Sequence, residues 1–562
     1  MATALSHMRH GLIHHGTFIV FLTISYTVLA VMNGDGLRCI EENNEWSSSP
    51  HYLDECLLRP GGWLGWAGAY LTQFFHIPWL GTLMLLFLWM VVYALTIKVC
   101  RLEKGQYSLA VTPLVLLLAS VLSPGYWMYV VRMNGYWFSM TLGTILLLLT
   151  LYPFSVCAKN LRKHKVAWLG LVAAHVVGIF TYKVLKANFP LHYYHGAESW
   201  SMAMPILCLY AFLVPLPFLR RILPSKPVVN TVVVLVISIF FLHRYWYRNA
   251  NFQSEQRMMI ALEEQRWDDI LTEPVGTADS PTRQMVLMKN IALMKLGELG
   301  DKTFHYSNAG VLPGTTDSLP VRLIHVAGPE LLYHHGMTRY SYRWCMENGI
   351  KCGFSPRLLR MMIRCAILDH EPQLAYKYVK RLRQATFHKE EAIRYETLLH
   401  HLSDVTRTPE FSTVLPYMAE ENTLDDNEGD CDRFLTEALA FSTSMRSEKA
   451  DAICTATLVA RQKELFWRAF MNYGMLNIGR EIPLHYQEAA FMFALEDDND
   501  DVLKQIDFDL QKIVERYNQF QRDLNTHRKL TPDVKAVRDA LEPEYGDTYW
   551  WYYFLCTDVE YY

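Results

Sequence analysis

The sequence predicts an all-α membrane protein, with about seven transmembrane helices followed by an extracytoplasmic helical-repeat (tetratricopeptide-like) domain. Three observations lead there. Long apolar runs fill the first 245 of 562 residues and then cease. Lys and Arg gather in alternate loops between those runs. Beyond them, apolar residues recur at helical spacing among Glu, Gln, Arg and Asp. Two solvents are implied, and so two domains: 1–245, polytopic with an acidic first outer loop at 33–75, and 246–562, helical and extracytoplasmic.

Crossing the hydrocarbon core takes about 20 apolar residues, because only an internally satisfied backbone is tolerated there. Seven segments qualify: Thr17 to Met32, Leu80 to Lys98, Leu109 to Val131, Trp137 to Cys157, Ala167 to Leu185, Met202 to Leu219 and Val228 to His243. The first lacks a small-residue cleavage site and reads as a retained signal anchor. Basic residues follow the second span (Lys98, Arg101, Lys104), the fourth (Lys159, Arg162, Lys163, Lys165) and the sixth (Arg220, Arg221, Lys226). Those loops and the N-terminus are therefore expected in the cytoplasm, and everything after Tyr245 across a bacterial inner membrane, in the periplasm.

In the second half, helices are expected at Met285 to Leu296 before Gly297, at Leu331 to Met346, at Pro356 to Leu368, at Leu374 to Leu382, at Leu465 to Met475 and at Ile506 to Leu524. Gln373 to Val379 looks like the second helix of a tetratricopeptide repeat, although a 34-residue period is not clean. The aromatic run Tyr549 to Phe554 reads as a packing element, with a stacking platform or a membrane-interface belt as alternatives.

The net charge of −3 and the absence of a basic stripe argue against nucleic acid as a partner. The eleven cysteines show no CxxC spacing and indicate no zinc or redox motif.

Chemistry is sought first in the loop 33–75, dense in carboxylates and closing on Trp63 to Phe75, an aromatic, nearly uncharged stretch suited to a helix at the membrane interface. A carboxylate there could deprotonate an acceptor hydroxyl while cations stabilise a departing phosphate. The catalytic candidates are Asp35, Glu41, Glu42 and Glu45, and the substrate-binding candidates are Arg38, Arg59, Lys183, Lys186 and Gln73. A solvated polar loop is the competing reading. In the third outer loop His192, His195 and Glu198 fall at three-residue steps, as ligands of a divalent metal could on one face of a helical turn. Interfacial aromatic packing with incidental histidines competes there.

Several segments carry a resemblance. Glu41 to Phe75, with Pro60-Gly61-Gly62 and Leu71-Thr72-Gln73-Phe74-Phe75, then Asn290 to Leu293, Gly297 to Asp301, Phe304-His305-Tyr306, Arg343-Trp344 and Tyr545 to Trp550 resemble a polytopic membrane-protein family of Bacteroidota known only as a domain of unknown function. Where its members tend to have Gln and Phe, this chain has Asn44 and Trp46. More distantly, the seven spans and acidic first loop look like the shared module of GT-C glycosyltransferases, some of which carry tetratricopeptide repeats. That likeness implies a membrane-lipid substrate, a polyprenyl-phosphate-linked sugar, and a catalytic acid at Asp35 or Glu41. The paired Asp-Glu signature directly after the first span is absent. Two functions are therefore expected to compete: a GT-C-like glycosyltransferase, and a membrane-anchored helical-repeat scaffold for an envelope protein partner.

Overall fold

The computed structural model describes residues 15–58, 62–157, 225–274, 281–306, 308, 310, 321–418, 431–497 and 510–556. The expected fifth and sixth spans, Ala167 to Leu185 and Met202 to Leu219, lie outside them. The described regular structure is helical, with no strand among the described residues. The chain divides into two compact units. One comprises 1–249 with 347–360 and 377–394, and the other 250–346, 361–376 and 395–562.

The first unit begins with α1 (His15–Met32), whose last turn widens to a π-helix over Thr27–Met32. After it come α2 (Gly34–Glu42), α3 (Pro50–Leu57), α4 (Gly62–Thr72), a 3₁₀ turn at Gln73–His76 and α5 (Pro78–Cys100). Pro78 occupies the first turn of α5, where its missing N–H costs nothing. A 3₁₀ stretch, Lys104–Val111, then runs into α6 (Thr112–Leu122). The helix expected to continue to Val131 stops at Leu122 because Pro124 offers no N–H, and Tyr247 N takes the Leu122 carbonyl at 3.0 Å instead. Among the described residues, α7 (Tyr136–Cys157) and α8 (Pro227–Tyr245) follow.

Among the described residues, four helices are long and apolar enough to cross a membrane: His15–Met32, Pro78–Cys100, Lys104–Leu122 and Pro227–Tyr245. In α7 the apolar stretch is shorter, Tyr136–Tyr152. The aromatic stretch expected at the interface forms α4, which packs along α7. Their approach is at backbone contact. Gly135 has φ of 69°, and a Cβ there would lie 2.3 Å from Ala69 N and 2.4 Å from Gly65 O. Asn44 ties the same place together, donating to Ala69 O at 3.0 Å and accepting from Gly135 N at 3.0 Å.

In the second unit the helix expected from Met285 runs Arg283–Leu296, opened by Thr282, whose hydroxyl accepts from Met285 N at 3.3 Å. The helix expected from Leu331 to Met346 is two, Gly328–His334 and Thr338–Cys352. Between them Gly336 has φ of 76°, and a Cβ on it would fall 2.1 Å from Tyr417 O, so the break is set by a close backbone crossing. The C-terminal aromatic run forms Tyr549–Leu555, with Tyr549, Trp550, Trp551 and Tyr552 fully buried in a core with Phe304, Phe493 and Phe520. Packing is thus the role these rings play.

The same unit holds a charged core. Arg364 donates from Nη1 and Nη2 to Glu263 (2.9 and 2.6 Å) and from Nε to Glu410 Oε2 (2.9 Å), which also accepts from Tyr395 OH (2.9 Å). Burial opposes the guanidinium, and the Glu263 and Glu410 carboxylates keep it charged.

A second buried cation meets no carboxylate among the described residues. Lys295 donates to His334 O (2.9 Å) and Thr413 O (2.8 Å) with its ammonium 4.1 Å from the Tyr417 ring centre, and burial pulls it down to about 7. Unfolded, a lysine titrates near 10.4, so between about pH 7 and pH 10 only the unfolded chain carries this proton. Stability is therefore expected to rise with pH across that window, and Lys295→Met to remove the rise. Thermal unfolding of both proteins at the two ends of the window checks it; parallel pH profiles would contradict the assignment to Lys295.

Candidate functional site

The first-loop acids are sorted by the helical repeat of α2. Leu37, Ile40 and Glu41 fall at i, i+3 and i+4 and face inward, whereas Asp35 in the first turn is exposed. Glu41 is 1% exposed. The 3₁₀ turn Gln73–His76 packs on α2 and delivers His76, whose Nδ1 lies 3.2 Å from Glu41 Oε2.

The other side of Glu41 is met by residues from the far end of the sequence. The chain at 385–388 sits on the 3₁₀ turn: Thr386 N donates to Gln73 Oε1 at 2.8 Å, Phe387 stacks on His76 at 5.2 Å, and Phe74 meets Phe387 edge-on at 5.5 Å. His388 is thereby placed to donate from Nε2 to Glu41 Oε1 (3.0 Å) and from Nδ1 to Glu391 Oε2 (3.2 Å). Glu391 accepts from Arg360 Nε (2.6 Å) and Nη2 (3.1 Å), and the same guanidinium reaches both oxygens of Glu42 at 3.2 Å. One connected cluster results, comprising Glu41, Glu42, His76, Arg360, His388 and Glu391.

Its electrostatics are strongly perturbed. Burial opposes charge on Glu41, but hydrogen bonds from His388 and His76 outweigh it and hold the carboxyl below its usual range. Burial likewise opposes the His388 imidazolium, and Glu391 and Glu41 raise it to about 10. Glu391 is held well below the carboxylate range against its own burial, by Arg360 and then by His388. Donor atoms of Glu41, Glu42, His76 and His388 all lie within 4.8 Å of one another, so these four could hold a metal.

Glu45 belongs to a separate set. Its Oε2 accepts from Arg132 Nη2 (2.5 Å) and Asn134 Nδ2 (3.2 Å), and its Oε1 from Arg381 Nη2 (2.8 Å). Held by two arginines and an amide rather than by imidazoles, Glu45 reads as a structural anchor of the first loop. Gln73 is also committed internally, donating to Tyr70 O at 3.2 Å in addition to its bond from Thr386. Arg38 is half-buried on α2. Arg59, Lys183, Lys186 and the expected metal ligands His192, His195 and Glu198 lie outside the described residues.

Of the predicted catalytic acids, then, Glu41 and Glu42 come together, Glu45 stands apart, and Asp35 faces outward. The cluster residues not anticipated are His76, Arg360, His388 and Glu391. The one local signal was His388 and Glu391 at i, i+3 opening the helix Lys389–His400.

No curated protein and no solved structure matches this chain. One family model does, from residue 8 to residue 556. The chain accordingly belongs to the family of unknown function DUF6057.

Proposed function

We propose that the protein is an integral inner-membrane transferase of the GT-C type, moving a sugar from a polyprenyl-phosphate carrier to an extracytoplasmic acceptor at the Glu41 cluster. The observation that carries this reading is a first-loop carboxylate that is buried, kept ionised, and flanked by two imidazoles. In that form Glu41 takes the proton of the acceptor hydroxyl, whose oxygen bonds to the anomeric carbon as that carbon's bond to the carrier phosphate breaks, and the positive charge of His388 favours the departing phosphate.

Two further observations support a membrane setting. Along α8, Val228, Val232, Leu235, Val236, Ile239 and Phe240 are each more than half exposed, a surface suited to hydrocarbon rather than water. Glu41 follows the first apolar helix and His388 follows the last, so their contact needs an even number of crossings between them, as the expected topology has.

A scaffold reading is favoured by one feature of the second unit: a groove of about 400 Å³ lined by Met337, Tyr340, Tyr417, Phe434 and Phe441, the last 60% exposed. An envelope protein partner or the tetratricopeptide-like repeats would use such a surface.

Glu41→Gln is expected to lower transfer by about a hundredfold or more, and Asp35→Asn to leave it near wild type. Lipid-linked sugar profiling in a deletion strain complemented with each variant at matched protein level is the check. Accumulation of a precursor that wild type and Asp35→Asn clear, and Glu41→Gln does not, is the expected result. Unchanged profiles in the deletion strain would reject the transferase and leave the scaffold.

A further inference from the structure

We infer that Glu41, Glu42, His76 and His388 form a binding site for one divalent transition metal, with zinc the ion whose preferences they fit. The argument concerns binding alone and does not depend on sugar transfer.

The donor set is two carboxylates and two imidazoles, a mixture suited to zinc rather than to magnesium or calcium, which take oxygen shells. The spacing fits as well. Metal–ligand bonds of about 2.0–2.2 Å put neighbouring donors of a tetrahedral site about 3.3 Å apart. One donor atom from each of the four residues lies within 4.8 Å of the others, so a modest drawing together of the side chains brings them to that spacing about an ion.

The outer partners are those a metal site needs. An imidazole ligand is normally oriented by a carboxylate on its other nitrogen. Glu391 holds His388 Nδ1 in this way, aiming Nε2 into the cluster, and Arg360 holds Glu391 by two hydrogen bonds. Ring stacking on Phe387 fixes His76. Charge completes the case. Arg360 balances one of the three carboxylates Glu41, Glu42 and Glu391, and a dication taking the place of the His388 Nε2 proton balances the other two. Carboxylates drawn this far from water need opposite charge beside them. Donors come from α2, from the 3₁₀ turn and from the segment before Lys389, so one ion would tie three separated stretches of chain.

The test uses the full-length protein purified in detergent, stripped with chelator and titrated with Zn²⁺ alone. Bound metal is counted per chain, and Co²⁺ substitution reports coordination by visible absorption. One zinc per chain is expected. Glu41→Gln and His388→Ala should weaken binding at least about tenfold, and Glu391→Gln by about 10–100-fold through loss of ligand orientation. The exposed Glu437→Gln should bind as wild type. Should the His388 variant fail to fold, His76→Ala decides, since that ring is 31% exposed and its removal disturbs packing least. Absence of stoichiometric zinc in the wild type, or binding unchanged in His76→Ala and Glu41→Gln, overturns the site and leaves an internal ion-pair cluster. Because no sugar donor is present, either result leaves the transferase reading to its own experiment.

Discussion

Replacing Arg364 by methionine is expected to lower the unfolding free energy of the second unit by about 3–5 kcal/mol. Glu410 would keep its buried carboxylate without the guanidinium that donates to it, whereas Glu263, 29% exposed, stays partly hydrated. The cost arises from the stranded charges more than from the lost bonds, so Arg364→Met combined with Glu410→Gln should recover part of the loss. The exposed pair Arg433–Glu437 provides the contrast: Arg433→Ala should change stability by less than about 0.5 kcal/mol. Chemical denaturation followed by tryptophan fluorescence reads all three. A loss below about 1 kcal/mol for Arg364→Met would mean that water reaches the network.

In the first unit the largest effect is expected from Gly135→Ala. An alanine at φ of 69° costs roughly 1–2 kcal/mol by itself. The added methyl would also sit inside contact distance of two backbone atoms of α4, which cannot rotate away as a side chain could. Displacing packed elements adds about 1–3 kcal/mol, and the total is enough to loosen α4 from α7. Gly143→Ala on α7, which Gly135 immediately precedes, is the control, because a Cβ there meets only Leu64 Cδ1 at 3.7 Å. Protease sensitivity in the 58–72 region, in detergent, distinguishes the two. Equal resistance would show that α4 and α7 do not approach as closely as the structure has them.

The helical class was legible because apolar periodicity is local, and α9 (Pro356–Leu368) and α10 (Pro372–Leu382) begin and end within two residues of expectation. What stayed hidden was set by distant atoms. The break at Gly336 depends on Tyr417, and the early stop at Leu122 is secured by Tyr247. The site divides along the same line. Glu41 could be separated from Asp35 by its place beside Leu37 and Ile40 on one helical face. Nothing local, however, announces that Arg360, on an apolar-rich helix, and His388, in a polar stretch, belong to the same compact unit as the first loop. An isolated histidine in a charged segment carries no periodic signal, and only the fold reveals its partner.

The hydrogen bond between Glu41 and His388 also has a consequence for how the protein is made. The two residues are 347 positions apart. At synthesis rates of about 5–20 residues per second, the acid leaves the ribosome about 20–70 seconds before the imidazole that neutralises it. During that interval Glu41 and Glu42 have neither His388 nor Arg360 nearby, and the pocket that later encloses them cannot close without stranding charge. The first loop is therefore expected to wait in an open, hydrated form until the downstream segment arrives. Nascent chains arrested short of position 388 should expose this loop to protease or to passing chaperones.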